Sequence, residues 1–202
     1  MKIYLRDRSQ ELVNAWTEEF QNFPDIVPSC GDIFEEGPWL DVDAIVSPAN
    51  SFGFMNGGID FVYSEYFGLG AVNKLQEYLW EEHQGELLVG QAVVIDMRNT
   101  SNQPDQKARA ERIPYLISAP TMRVPMNVSQ TVNAFLAFRA ALRAAQKHNF
   151  NAILCPGLGT AIGQMPHKIC AKQMVEAYKF LANPPCFDML WAASNFHTNL
   201  LK

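Results

Sequence analysis

The sequence has little of what would tie a protein to a metal, a membrane or a nucleic-acid backbone. Its 202 residues include four cysteines and four histidines. Cys30, Cys155, Cys170 and Cys186 form no C-x-x-C pair, and their spacing suits neither a zinc site nor a disulfide scaffold. Reduced thiols in a cytoplasmic protein are the simple expectation, with Cys155 in the core at the end of an apolar run. His83, His148, His167 and His197 are scattered, which favours surface or helix-cap roles, so neither a metal nor a cofactor is expected. No segment approaches the roughly 20 apolar residues of a membrane span. The start, MKIYLRDRSQ, turns charged by Arg6 and lacks the apolar centre of a signal peptide. Basic residues are outnumbered, 16 against 21 acidic, which disfavours a general nucleic-acid binder. An anionic small ligand stays compatible with this charge, because backbone N–H groups and helix N-termini bind phosphate without Lys or Arg.

What is present is an ordinary globular balance, 48% hydrophobic and 18% charged, in a chain whose length suits one domain over 1–202. KIYL predicts a strand. Leu12, Val13, Trp16 and Phe20 repeat at helical spacing behind Ser9, which predicts a capped helix over 10–21. DIVPSCGDIFE predicts an extended piece and a turn, and VDAIVSPAN a buried strand. A helix is expected over 59–82, interrupted around Gly68 and Gly70. LLVGQAVVIDM predicts one strand or a bent pair broken at Gly90. The polar stretch 97–112 predicts a surface loop whose Arg98, Lys107, Arg109 and Arg112 are solvated. IPYLISAP predicts a strand, 129–148 a helix capped by Ser129, NAILCP a buried strand, and 166–182 a helix with Pro166 near its first turn. CFDMLWAAS predicts a last strand or an extended tail. Trp16, Trp39, Trp80 and Trp191 are expected to pack.

Strands alternating with helices predict an α/β fold with a mostly parallel sheet covered on both faces. Ligands of such sheets sit beyond the carboxyl ends of the strands. That rule selects two loops, 47–60 and 156–166. The first places Asn50 just after a strand, then Gly57 and Gly58, then Asp60 at the start of a helix. The second, PGLGTAIGQMP, carries Gly157, Gly159 and Gly163 with the hydroxyl of Thr160. Glycines admit close approach of a ligand to the backbone, and loop amides beside a helix N-terminus suit a diphosphate. An amide and a carboxylate either side of a glycine pair suit a sugar. The turn-shaping role of Asn50 and the helix-start preference of Asp60 account equally well for either residue taken singly.

Three segments in order resemble the macro domains, which bind ADP-ribose. GDI at 31–33 resembles the family's Gly-Asp-Ile. VDAIVSPANSFGFMNGGID resembles its V-D-A-I-V-N-A-A-N strand and glycine-rich loop. PGLGTAIGQMP resembles its P-x-x-S-T-G-I-Y-G-Y-P loop at equal length. The resemblance spans about 30–182. It implies a three-layer α/β/α fold around a mixed, mostly parallel sheet. It implies Asp32 and Ile33 at the adenine, Asn50 at the distal ribose, and Gly57, Gly58 and Ile59 around that ribose and the diphosphate. Gly157, Gly159, Thr160, Ala161, Ile162 and Gly163 match the second diphosphate loop. Asp60 matches the residue that assists a water in the hydrolytic branch, with Asn50 fixing the sugar.

The chain departs from the pattern at Ser47 and Pro48, in the shortened glycine run MNGG, in lacking the His that precedes the glycines in some phosphatase-like relatives (Asn56 is nearest), and at Ala161. Gly163 and Gln164 stand where the family has an aromatic and a glycine, and Phe52 or Phe54 is the candidate replacement for the aromatic. The expected ligand is ADP-ribose or an ADP-ribosylated macromolecule. An ADP-ribosyl hydrolase, a phosphatase-like enzyme, a non-catalytic reader and a structural macro-like domain all remain open. A Rossmann NAD(P) protein fits worse, since GLGTAIG is spaced Gly-x-Gly-x-x-x-Gly and lies late in the chain.

Overall fold

The computed structural model describes residues 1–202. In chain order the elements are β1 (Lys2–Asp7), α1 (Gln10–Glu19), β2 (Ile26–Cys30), β3 (Ala44–Ser47), α2 (Gly58–Phe67) and α3 (Leu69–His83). Then come β4 (Val93–Asp96), α4 (Pro104–Arg112), β5 (Tyr115–Ser118), α5 (Asn133–Lys147), β6 (Ala152–Cys155), α6 (His167–Ala182) and α7 (Leu190–Asn199). One sheet runs in the order β2-β1-β6-β3-β5-β4, with every pairing parallel except β4 on β5.

Strand alternation divides the interior in two. Ile3, Leu5, Ala44, Val46, Ile117 and Ile153 face a core shared with α1, α5 and α6. Tyr4, Ile45, Leu116 and Leu154 face a second core with α2, α3 and α4. The expected three-layer α/β/α arrangement is therefore the observed one. Trp16 is fully buried, as expected of a packing residue, whereas Trp80 and Trp191 are 75% and 63% exposed.

Five expectations need correction. The stretch 97–112 contains α4, started by Pro104 at its first turn; only Ala110 of it is buried, so no apolar stripe marked it as helix. Three of its four basic residues are engaged, while Lys107 stays exposed. Arg98 pairs with Asp96 at 2.7 Å, Arg112 bridges Glu36 and Asp41, and the Arg109 guanidinium lies over the Tyr66 ring. The segment after Pro185 forms α7, held by Phe196 against Phe135 and Phe180, and joins no sheet edge. Helix α5 begins at Asn133 without a cap from Ser129; the buried Gln173 Oε1 of α6 accepts the Phe135 amide instead. Before β4, Gly90 sits at φ +94° in a tight turn, so pairing starts only at Val93. The expected interruption of the 59–82 helix is a full break at Gly68, whose φ is +89°.

Because five of the six strands are parallel, the carboxyl ends of β2, β1, β6, β3 and β5 open at one edge of the sheet.

Candidate functional site

That edge holds a cleft of about 380 Å³. Every residue placed at a ligand by sequence lines it, from Asp32 and Ile33 after β2 to the 157–163 loop after β6. The two glycine loops face each other: a Cβ added at Gly58 would meet the Ile162 side chain at 3.6 Å. Gly57 opens onto free space. Gly163 is required by crowding, since a Cβ there would lie 2.5 Å from the Gly159 carbonyl oxygen.

The loop amides are unspent. No backbone carbonyl accepts the N–H groups of Gly58, Ile59 and Asp60 in the first turn of α2, nor those of Gly159 to Gly163. The loop carbonyls, by contrast, are tied down: Met165 donates to Gly159 O at 2.9 Å and Val128 to Gly163 O at 2.8 Å. Free donors on a fixed frame, with the positive end of α2 among them, suit an anion.

Sequence reading passed over the end of β1. Asp7 accepts from the Ser9 amide at 2.9 Å and the Gly157 amide at 3.1 Å, and so anchors the second loop. Arg6 is buried under Trp39 and donates to Asp32 O at 2.6 Å. Arg8 forms an ion pair with the Asp32 carboxylate. Arg8 first, then the Phe34 amide, holds the Asp32 carboxyl below its usual range. The carboxyl-end rule that selected the two glycine loops also covers β1, and applying it there would have found these residues. The 121–125 segment after β5 was passed over too. Thr121 Oγ1 donates to Pro48 O at 2.9 Å, and the Ser51 amide reaches Met122 O at 3.1 Å, so this segment braces the first loop.

Asn50 lines the cleft, but its amide serves its own loop. Nδ2 donates to Phe54 O at 2.7 Å, and Oδ1 accepts from the Phe52 and Phe54 amides at 3.1 and 3.3 Å. This clamp holds Phe54 at the cleft mouth, 55% exposed, while Phe52 lies under the Arg123 guanidinium. Asn50→Ala is expected to speed hydrogen exchange at the Phe52 and Phe54 amides by tenfold or more, about 1.4 kcal/mol of lost local stability. Unchanged exchange would refute the clamp.

Asp60 is the one buried carboxylate of the chain, at 8% exposure. Ser47 Oγ, at the end of β3, donates to Asp60 Oδ1 at 2.6 Å. Burial pushes the Asp60 carboxyl up to about 7, against the opposing effect of the Ser47 hydrogen bond. The chain has no group of three or more His, Cys, Asp or Glu able to hold a metal ion. No helix is long and apolar enough to cross a membrane.

A family model described as a macro-like domain matches residues 38–183, which include β3 through α6 and both glycine loops. The chain belongs to the macro-like domain family. An uncharacterized protein of Aquifex aeolicus is 32% identical over 149 residues, covering 74% of this chain and 79% of its own length. The macrodomain of Mycobacterium tuberculosis DarG superposes with a TM-score of 0.55 at 20% identity, covering 73% of this chain and 90% of that one. The Oceanobacillus iheyensis macrodomain, solved with ADP, superposes with a TM-score of 0.58 at 21% identity, covering 75% and 73%. A variant of it was solved with ADPR. In this macro-like domain β1, α1, β2 and the Gly31-Asp32-Ile33 turn precede the matched stretch, so the Arg8–Asp32 wall of the cleft comes from outside it.

Proposed function

We propose that this macro-like domain binds ADP-ribose or an ADP-ribosylated macromolecule in the cleft and hydrolyses the ADP-ribosyl linkage. The observation that carries this reading is the set of unpaired amides on two facing glycine loops, with a buried carboxylate among them. The diphosphate lies on the amides of Gly58, Ile59 and Gly159 to Gly163. The base lies at the Asp32–Ile33 end, where a carboxylate accepts from an exocyclic amine. Asp60 takes a proton from a water that attacks the anomeric carbon; the C–O bond to the target breaks with its electron pair on the target oxygen, so an ester-linked target leaves as its carboxylate and ADP-ribose is freed. The likeness to macrodomains solved with ADP and ADPR supports the choice of nucleotide.

A non-catalytic reader is the second reading. It is favoured by Asn50, whose amide is occupied within its own loop instead of being free for the distal sugar. Titration calorimetry with ADP-ribose, run beside release of ADP-ribose from an ester-linked ADP-ribosylated protein, separates the two. Binding with turnover supports the hydrolase, and binding without turnover supports the reader. No binding by the folded protein overturns both.

A further inference from the structure

We infer that Ser47 is a positioning residue for Asp60: its hydroxyl fixes one carboxylate oxygen so that the other is presented to the cleft. The activity side of this inference rests on the proposed hydrolytic role of Asp60; its geometric side does not.

Three observations carry it. Ser47 Oγ holds Oδ1 at 2.6 Å, a charge-assisted contact in a buried setting. No protein group donates to Oδ2, yet that atom is absent from the buried side-chain atoms without a partner, which are Ser51 Oγ and Ser118 Oγ. Oδ2 is therefore the oxygen open to the cleft that Asp60 lines. Ser47 itself is 0% exposed and does not line the cleft, so it reaches a bound ligand only through Asp60.

The surroundings leave Ser47 as the sole polar brace. From its own helix the fully buried Tyr63 faces Asp60, but the phenol donates to Val46 O at 3.1 Å. The Cys155 thiol of β6 and Asp7 of β1 hydrogen-bond elsewhere, Cys155 to Pro156 O and Asp7 to the Ser9 and Gly157 amides. From β5, Ser118 is the register partner of Ser47, and its hydroxyl finds no partner. Asp60 has no ion-pair partner. Burial raises its pKa and the Ser47 hydrogen bond is what opposes that rise.

No other side chain hydrogen-bonds to Asp60, so loss of the Ser47 hydroxyl leaves the carboxylate without a donor.

The test uses the full chain with Asp carboxyl carbons labelled, following the Asp60 titration by NMR and the pH profile of ADP-ribose release. Ser47→Ala is expected to move the Asp60 titration and the rising limb of kcat upward by about one to two pH units. Turnover at pH 7 then falls about five- to fiftyfold, as the ionised fraction does, and recovers at high pH, while KM stays within about twofold. Ser47→Thr, which keeps the hydroxyl, is expected to restore the wild-type profile. Should Ser47→Ala fail to fold, Ser47→Cys keeps the volume with a weaker donor and is expected to shift the titration partway. An Asp60 titration that Ser47→Ala or Ser47→Cys leaves in place overturns the inference, even in a protein that shows no turnover. Absent turnover with a shifted titration overturns the hydrolase reading alone.

Discussion

Asp60→Asn is expected to slow release of ADP-ribose by about a hundred- to ten-thousand-fold while ADP-ribose affinity stays within about threefold. The range is that of a positioned base lost from its site. Asn matches the shape of Asp, and its carbonyl oxygen still accepts from Ser47, so the α2 start and the loop amides keep their places. What disappears is the capacity to take a proton. Because burial raises the carboxyl to about 7, wild-type activity should climb as pH rises through that value, and the residual Asn activity should not. Single-turnover release measured from pH 5 to 9, with calorimetry at each end, checks both halves. Turnover within threefold of wild type at pH 8 would sink the role of Asp60. A matching loss of affinity would instead make Asp60 a binding residue.

The same substitution should stabilise the fold. Folded Asp60 keeps its proton up to about pH 7, whereas an aspartate in an unfolded chain loses it near 3.8. Between these values the folded state binds more protons than the unfolded one. The contribution is therefore fully present below 3.8 and is lost as pH rises through 7. A difference of about three pH units corresponds to about 4 kcal/mol, an upper figure for a carboxylate that can still reach water in the cleft. Asp60→Asn removes this loss, so its Tm should exceed the wild-type value at pH 8 by up to about 8 to 16 °C, at about 2 to 4 °C per kcal/mol in a chain this long. Near pH 4 the two melting temperatures should converge. Equal melting at pH 8 would mean that the carboxylate is solvated in the folded state. A buried acid held for chemistry at the expense of stability is the trade seen where sites oppose the fold.

The separation of the two effects matters for function. A reader has no use for a destabilising buried carboxylate, so a stability gain without any turnover to lose would ask why Asp60 is kept. A gain paired with lost turnover ties the strain to catalysis.

Most of the cleft was legible because its determinants are local. Gly57 and Gly58 before Asp60, and the glycines of the 157–163 loop, follow short apolar runs of strand length, and parallel strands put their following loops at one edge. The misread elements depended on partners distant in sequence. Helix α4 lacks an apolar stripe, since its Arg109 and Arg112 are satisfied by Tyr66, Glu36 and Asp41 across the chain. Helix α5 draws its N-terminal acceptor from Gln173, 38 residues on, so no cap could be found nearby. Helix α7 has no buried residue at all, and its aromatic composition resembled a strand.

Sequence alone determined the layered parallel fold, the family resemblance and the positions of the two glycine loops, because apolar periodicity and glycine spacing act over a few residues. Tertiary structure decided the electrostatics of the site. Only the packed sheet brings Ser47 against Asp60 and draws the carboxyl largely out of water, which raises it to about 7. Only the closed loop shows the Asn50 amide serving Phe54 in place of an open cleft, and only strand order sets Arg8 beside Asp32. Charge, desolvation and hydrogen-bond satisfaction depend on which groups meet across the fold, and that is decided when the layers close.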